Sequence, residues 1–290
     1  MALGRHLGFQ RVIFDCDSTL VSVEGIDELA RLKGRTGQIA ELTRRAMNGE
    51  VPLEYVYARR LEMLQPTRAE LMQVGRIYRH ALVPEAAEVV AALQFVGIEV
   101  FILSGGLKAA VRGLAACLKI PASNVFAVEV ELDPFQGRWW DYQRHRFAGN
   151  PDERYLAFAP TPLAESDGKI TMVRALSEGR RAMMVGDGAT DLATREAVKL
   201  FVGFGGVTRR PVVAGEAEVF VEGPGLAAVL PLALSRSGGA KLRGSPHASV
   251  FRAGRAAILE NKVSFKRSDF RKWVLQAHAD AVASEPLFGK

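Results

Sequence analysis

Asp15 and Asp17 stand two positions apart directly after the apolar run Val12-Ile13-Phe14, and a second acidic turn, Gly186-Asp187-Gly188-Ala189-Thr190-Asp191, follows Met183-Met184-Val185. Between them in the chain, Val100-Phe101-Ile102-Leu103 leads into Ser104-Gly105-Gly106. Carboxylates gathered at strand ends repel one another and rise in pKa unless a cation joins them. Mg²⁺ answers that need, since it takes oxygen ligands in an octahedron and keeps several waters. An Asp-X-Asp pair alone would equally well decorate a turn; the two further turns argue for chemistry. The chemistry they suit is phosphoryl transfer, which needs a nucleophile in line with the leaving oxygen and donors around the other oxygens. Asp15, first past its strand, can attack phosphorus to form an aspartyl-phosphate. Asp17 can protonate the leaving alkoxide and then deprotonate the hydrolytic water. Ser104 and the amides of Gly105 and Gly106, just ahead of a predicted helix, suit an anion. The spacing of Asp187 and Asp191 lets the first reach the metal while the second orients its surroundings from behind.

Each of the three runs is short, ends in such a turn and precedes a helical pattern, which marks buried strands of an α/β domain. Ligands of these sheets bind beyond the carboxyl ends of the strands, so the three turns are expected to meet there. From Pro84 the pattern alternates: helix 85–96, strand 99–103, helix 107–118, strand 125–128, then helix 169–178, strand 181–185, helix 189–197 and strands 199–202 and 219–221. That rhythm predicts right-handed βαβ units and a doubly wound, Rossmann-like parallel sheet. Gly203-Phe204-Gly205-Gly206 lacks the dinucleotide-binding spacing and is expected to be a tight loop near the site.

Two stretches interrupt the alternation. Residues 21–82 carry amphipathic helical patterns, with Ile26, Leu29, Ala30 and Leu32 near one face, a helix start at Val51-Pro52 and a capping box at Thr67-Arg68-Ala69-Glu70. They are expected to form a helical cap over the active end of the sheet. Residues 127–160, with Glu129–Leu132, an Asp133-Pro134 turn and Arg138–Tyr142, are expected as a small antiparallel flap. The predicted organisation is thus a core of 1–20 and 83–234, the cap of 21–82 and a tail of 235–290. Ser235–Pro246 has the composition of a linker. Beyond it Phe270, Trp273, Val274 and Ala277 fall at helical spacing, predicting a helix that docks on its own domain or on a second subunit, a homodimer being the second outcome.

The 290 residues, 48% of them hydrophobic, suffice for one large core and a smaller subdomain. No run approaches the roughly 18 apolar residues of a membrane span. The start, Met1-Ala2-Leu3-Gly4-Arg5-His6, lacks the pattern of a secretory signal, so a cytoplasmic protein with no membrane partner is expected. Cys16 and Cys117 fit reduced thiols rather than a disulfide framework. Cys16, set between two acids, should have a raised pKa and act as a spacer. Residues 236–290 hold eleven Lys and Arg against four Asp and Glu, a net of +7, so the chain's formal +6 leaves −1 for the first 235 residues. A basic tail can contact nucleic-acid phosphates with steep salt dependence. A pure binder, however, has no use for three acidic and phosphate-holding turns, so nucleic acid is not the expected partner.

The run Asp15-Cys16-Asp17-Ser18-Thr19-Leu20, continued in Glu24-Gly25-Ile26-Asp27-Glu28-Leu29-Ala30, resembles the first motif and first cap helix of the phosphoserine phosphatase branch of the haloacid dehalogenase superfamily. Similarity continues through Ala46–Pro52, Arg59-Arg60-Leu61, Leu64-Gln65-Pro66, Phe101–Gly106, Ile120–Phe126, Gly186–Asp191 and Phe201–Gly206, within residues 9–232. The resemblance implies Asp15 as nucleophile and metal ligand, Asp17 as acid/base with its backbone carbonyl on Mg²⁺, and Asp187 as the remaining protein ligand. It implies Ser104, Gly105, Gly106, Lys169 and Thr190 as phosphate holders, Asp191 behind them, Glu24 for a substrate ammonium, Arg60 for its carboxylate and Met47 packed over the site. The implied activity is hydrolysis of O-phospho-L-serine, a small phosphorylated amino acid, in serine biosynthesis. A zwitterion fits one anion and one bidentate cation. Leu53, Asp167 and the long, basic stretch Gln143–Ala159 depart from the family pattern without removing a catalytic group, and the tail has no counterpart in it. Two alternatives stay open: a phosphatase or phosphotransferase of the same fold for another small ester, and a phosphate-binding regulator with a nucleic-acid-contacting tail.

Overall fold

Val12, Ile13 and Phe14 are fully buried, as a strand covered on both faces of a parallel sheet must be. They form strand β1 (Arg11–Phe14) in a computed structural model of the chain, which describes residues 8–47, 53–133, 151–159, 161–165 and 167–279, apart from the side chains of 44–47 and 53–54. The other strands are β2 (Glu99–Leu107), β3 (Val125–Val128), β4 (Val130–Asp133), β5 (Arg154–Phe158), β6 (Ala182–Gly186), β7 (Leu200–Phe204), β8 (Val219–Val221) and β9 (Val263–Phe265). Seven of them make one sheet in the order β3-β2-β1-β6-β7-β8-β9, parallel throughout except for the β8–β9 pair. Val12 pairs with Val100 on one side and Met183 on the other, and Phe14 with Ile102 and Val185. This register brings Asp15, Ser104 and Asp187 to the same edge of the sheet. It is the doubly wound α/β architecture predicted from the alternation.

Of the five helices described between β1 and β2, the first four are α1 (Gly25–Leu32), α2 (Thr36–Met47), α3 (Leu53–Leu64) and α4 (Arg68–His80). The capping box opening α4 is present, with the Glu70 amide donating to Thr67 Oγ1 at 3.2 Å and the Thr67 amide to Glu70 Oε2 at 2.8 Å. The two connections to the sheet run side by side, Ser22 N–H donating to the Ala81 carbonyl at 2.8 Å and Val83 N–H to that of Leu20 at 3.0 Å. Helices α5 (Ala86–Phe95) and α6 (Lys108–Cys117) cover one face of the sheet, where Val89, Leu93, Val111 and Leu114 join Val12 and Phe14. Helices α7 (Gly168–Ser177), α8 (Ala189–Leu192) and α9 (Pro211–Glu216) cover the other, where Val173, Leu192 and Val213 join Ile13. Helix α10 (Val229–Ala233) lies wholly in the core. β4 pairs with β5, a strand the sequence pattern leaves unassigned, while the Arg138–Tyr142 run lies outside the described residues. Among the described residues no helix is long and apolar enough to cross a membrane.

The segment after Leu234 corrects the expectation of a linker. Ser235 caps helix α11 (Arg236–Leu242), its Oγ accepting from the Gly238 amide at 3.1 Å, and Leu242 is fully buried. The small residues that mimic a linker serve close packing: a Cβ at Gly239 would lie 2.6 Å from Nδ1 of His278. Helix α12 (Ala248–Leu259), strand β9 and helix α13 (Ser268–Ala277) follow, with Phe251, Ile258, Val263, Phe270 and Val274 buried in the main core. Phe270 and Val274 thus fix the predicted tail helix on its own domain, and β9 covers the edge of β8 that would otherwise offer unpaired amides.

Phe270→Ala is expected to lower the unfolding free energy by about 3 kcal/mol, and a chain ending at Leu234 to lose cooperative unfolding; urea denaturation followed by circular dichroism reads both. His278, buried with Nε2 3.1 Å from the Pro231 carbonyl oxygen, has its pKa depressed by burial, against the pull of that contact. Above about pH 6.5 the ring is neutral in folded and unfolded chains alike. As pH falls below that value the unfolded chain gains a proton that the folded one resists, so this residue costs stability on the acid side. His278→Gln is expected to flatten the loss in urea midpoint between roughly pH 7 and 5.

Candidate active site

Asp15 is the first residue beyond β1, and its Oδ1 accepts from Lys169 Nζ at 2.6 Å. Lys169, in the first turn of α7, also donates to Asp191 Oδ1 at 2.7 Å, and the Gly188 amide donates to Asp191 Oδ2 at 3.0 Å. Asp187, first beyond β6, accepts from Thr19 Oγ1 at 3.4 Å and from Arg210 Nε at 2.9 Å. Asp15, Asp187 and Asp191 are all buried and each places a carboxylate oxygen within 4.8 Å of the others, a donor set that could hold a metal ion. Burial and then the charge of Asp191 push the Asp15 carboxyl well above its usual range, and the same two causes push Asp187 up to about 6. Burial disfavours the charge on Lys169, but Asp15 and Asp191 outweigh it and hold the ammonium protonated.

Asp17 points elsewhere. The Tyr78 hydroxyl donates to its Oδ1 and the Gly25 amide to its Oδ2 at 3.3 Å, so its side chain stands apart from the three-carboxylate cluster. Burial, followed by the charge of Glu24, pushes its carboxyl up to about 7, which leaves a proton available near neutrality. Ser18, in the left-handed region at φ 56°, turns the chain here and donates to Glu24 Oε1 at 2.8 Å. Ser104 is buried, its Oγ accepting from the Gly106 amide at 2.9 Å. Cys16 is a free, buried thiol whose pKa is raised by burial and then by Asp17 and Asp15, in keeping with a spacer.

One cavity of about 240 Å³ joins these groups. From the sheet side it is lined by Asp15, Asp17, Ser104, Gly105, Gly106, Lys169, Asp187, Thr190 and Asp191. From the helical insertion it receives Glu24, Ile26, Tyr57 and Arg60. Tyr57 Oη and Arg60 Nε are buried without a hydrogen-bond partner, so a ligand's acceptors would satisfy both. The side chain of Met47, at the end of α2, lies outside the described residues. Three lining or supporting residues escape the sequence reading. Tyr57 stands three positions before Arg60 on one helix, a spacing that marks a shared face. Arg210 follows the glycine-rich loop after β7 and Tyr78 lies at the end of α4; neither carries a local signal.

A model of the haloacid dehalogenase-like hydrolases matches residues 9–198. The chain belongs to the haloacid dehalogenase-like hydrolase family. Phosphoserine phosphatases of Bos taurus and Homo sapiens are each 35% identical to it over 213 residues, which span 72% of this chain and 88% of theirs. A solved structure of a phospho-aspartyl intermediate analogue of phosphoserine phosphatase superposes with a TM-score of 0.62 over 78% of this chain and 99% of that one, at 22% identity, a likeness of fold.

In this member of the family Lys169 is the shared cation of a buried acid pair, so its removal leaves Asp15 and Asp191 uncompensated. Lys169→Met is expected to cost about 3 kcal/mol of stability in the presence of a chelator, read from urea unfolding.

Proposed function

We propose that this hydrolase is a magnesium-dependent phosphoserine phosphatase, which splits O-phospho-L-serine into L-serine and phosphate. The observation that carries the reading is the unlike setting of two acids two positions apart: Asp15 faces Lys169, whereas Asp17 faces a hydroxyl and an amide and holds a proton near neutrality. The named activity of the 35%-identical relatives supports the substrate. So do the partnerless donors of Tyr57 and Arg60, which suit a carboxylate, and the partly exposed Glu24, which suits an ammonium group.

In the first step Asp15 attacks phosphorus while the bond from phosphorus to the serine oxygen breaks, and Asp17 gives its proton to that oxygen. Ser104, the amides of Gly105 and Gly106, Lys169 and Thr190 hold the phosphoryl oxygens. In the second step water attacks the aspartyl-phosphate, Asp17 takes the water's proton, and Asp15 departs as the carboxylate it began as. The helical insertion acts as a cap that excludes bulk water from the reacting groups.

Hard, closely set carboxylates with raised pKa values fit a small divalent cation. Asp15, Asp187 and the Asp17 carbonyl would hold one Mg²⁺, with Asp191 behind them, bound to Lys169 and to the Gly188 amide. When bound, the ion supplies positive charge that lets a phosphate approach a cavity lined by six carboxyl groups and three cations. Two free cysteines suit a cytoplasmic setting.

Phosphate release from a panel of small esters tests the reading. Phosphoserine turnover is expected to need Mg²⁺ and to vanish in Asp15→Asn. Arg60→Ala is expected to lower kcat/KM for phosphoserine about thirtyfold, the worth of a hydrogen bond to a charged group, while phosphoethanolamine, which has no carboxylate, changes less than about threefold. Equal loss on both esters would overturn the assignment of Arg60 to the carboxylate.

A further inference from the structure

Tyr78 is fully buried, yet its hydroxyl reaches the one site carboxyl that must carry a proton. It comes from the last turn of α4, which packs its apolar face, Leu71 and Val74, into the main core together with Ala110, Val111 and Leu114 of α6. The phenol therefore rests on the sheet's own helix layer. Its hydroxyl is lodged against the start of α1: a Cβ at Gly25 would lie 2.2 Å from Tyr78 Oη, so glycine is required there for the two to coexist. The same Gly25 donates its amide to Asp17 Oδ2.

We propose that Tyr78 is a positioning residue for the acid step, its hydroxyl occupying Asp17 Oδ1 so that the transferable proton resides on Oδ2. This rests on the assignment of Asp17 as proton donor made above. Oδ1 already accepts from Tyr78, whereas Oδ2 receives the long 3.3 Å contact from Gly25 N–H and can hold a hydrogen of its own. Oδ2 is also the Asp17 oxygen nearer to the Ser104–Gly106 stretch assigned to the phosphate, 3.1 Å from where a Cβ of Gly106 would stand, with Tyr78 Oη 3.4 Å from the same point. A carboxylic acid whose two oxygens were equivalent would share its proton between them and could present the wrong one. With Oδ1 engaged, the proton moves from Oδ2 to the departing alkoxide as the phosphorus–oxygen bond breaks and the Asp15–phosphorus bond forms, and the phenol keeps its own hydrogen throughout.

Leaving-group dependence separates this role from simple packing. An alkoxide needs a proton to leave, whereas p-nitrophenolate is stable without one. The ratio kcat/KM reports the path up to formation of the aspartyl-phosphate, before Asp17 acts as base. Tyr78→Phe, which removes only the hydroxyl, is expected to lower kcat/KM for phosphoserine about tenfold, a fraction of what a general acid contributes, and for p-nitrophenyl phosphate less than about threefold. Asp17→Asn should show the same inequality, larger. Retained activity on the aryl ester and an unchanged thermal unfolding midpoint show that the variant is folded. Equal loss on both esters, or no loss on phosphoserine, overturns the proposal. If the wild type does not turn over phosphoserine, the substrate assignment fails by itself, and the same ratio is taken on whichever alkyl phosphate it hydrolyses best.

Discussion

Everything at the active edge of the sheet depends on one shared ammonium. Lys169 donates to Asp15 and Asp191 from a position almost sealed from water, and without it two buried carboxylates would face each other across a few ångströms. Charges taken out of water are tolerated only when closely paired and hydrogen-bonded. The pairing in turn fixes where α7 must begin relative to β1 and α8, so the electrostatic requirement and the packing of one whole face of the sheet are satisfied together. Arg210 plays a weaker part on Asp187, to which it donates at 2.9 Å while remaining one third exposed. A pocket with more acids than cations still leaves room for a further positive charge, which accords with a hard divalent ion beside the cluster.

The same side chain is used twice in three residues to opposite ends. Asp15 is drawn into the charged cluster, whereas Asp17 is turned toward a phenol and a backbone amide, neutral donors that leave its proton in reach. Local backbone causes the divergence. After Ser18 enters the left-handed region the chain reverses, the Leu20 and Val21 amides return to the Cys16 carbonyl, and Glu24 and Gly25 come back over Asp17. A tight turn thus sorts two chemically identical acids into two environments.

Much of this was legible in the sequence because it is local. Buried strands announce themselves as short apolar runs, and a turn that follows a strand in a parallel sheet has one place to go. Thr67 and Glu70 form their capping box as their spacing predicts. In the tail only Ser235–Pro246 departs from its composition, which is that of a flexible joint, because Gly239 admits His278 and Phe251 at close range, a relation between residues some forty apart or more than ten apart. β5 escapes for a related reason: Arg154–Phe158 is held extended by partners distant in sequence, β4 on one side and the backbone of Pro66 and Thr67 on the other. Tyr57 and Tyr78 are ordinary helix residues until the insertion folds over the sheet, and Arg210 is a loop residue until it meets Asp187, so their proximity to the cavity is a tertiary property.

The site is therefore a seam between two kinds of structure. The sheet supplies groups suited to phosphate, from strand ends whose positions are fixed by register to within a residue. The segment inserted between β1 and β2 supplies Glu24, Tyr57 and Arg60, which line the cavity without belonging to the sheet. Asp17 lies where the two meet, tied to the insertion through the Gly25 amide and to the sheet through its place just beyond β1. A change in how α1 sits over the cavity must therefore be felt at the acid, because the amide that holds Asp17 Oδ2 is the first of that helix. In the function proposed above, recognition of the organic part of a substrate and readiness of the proton that releases it would in this way be parts of one mechanical unit.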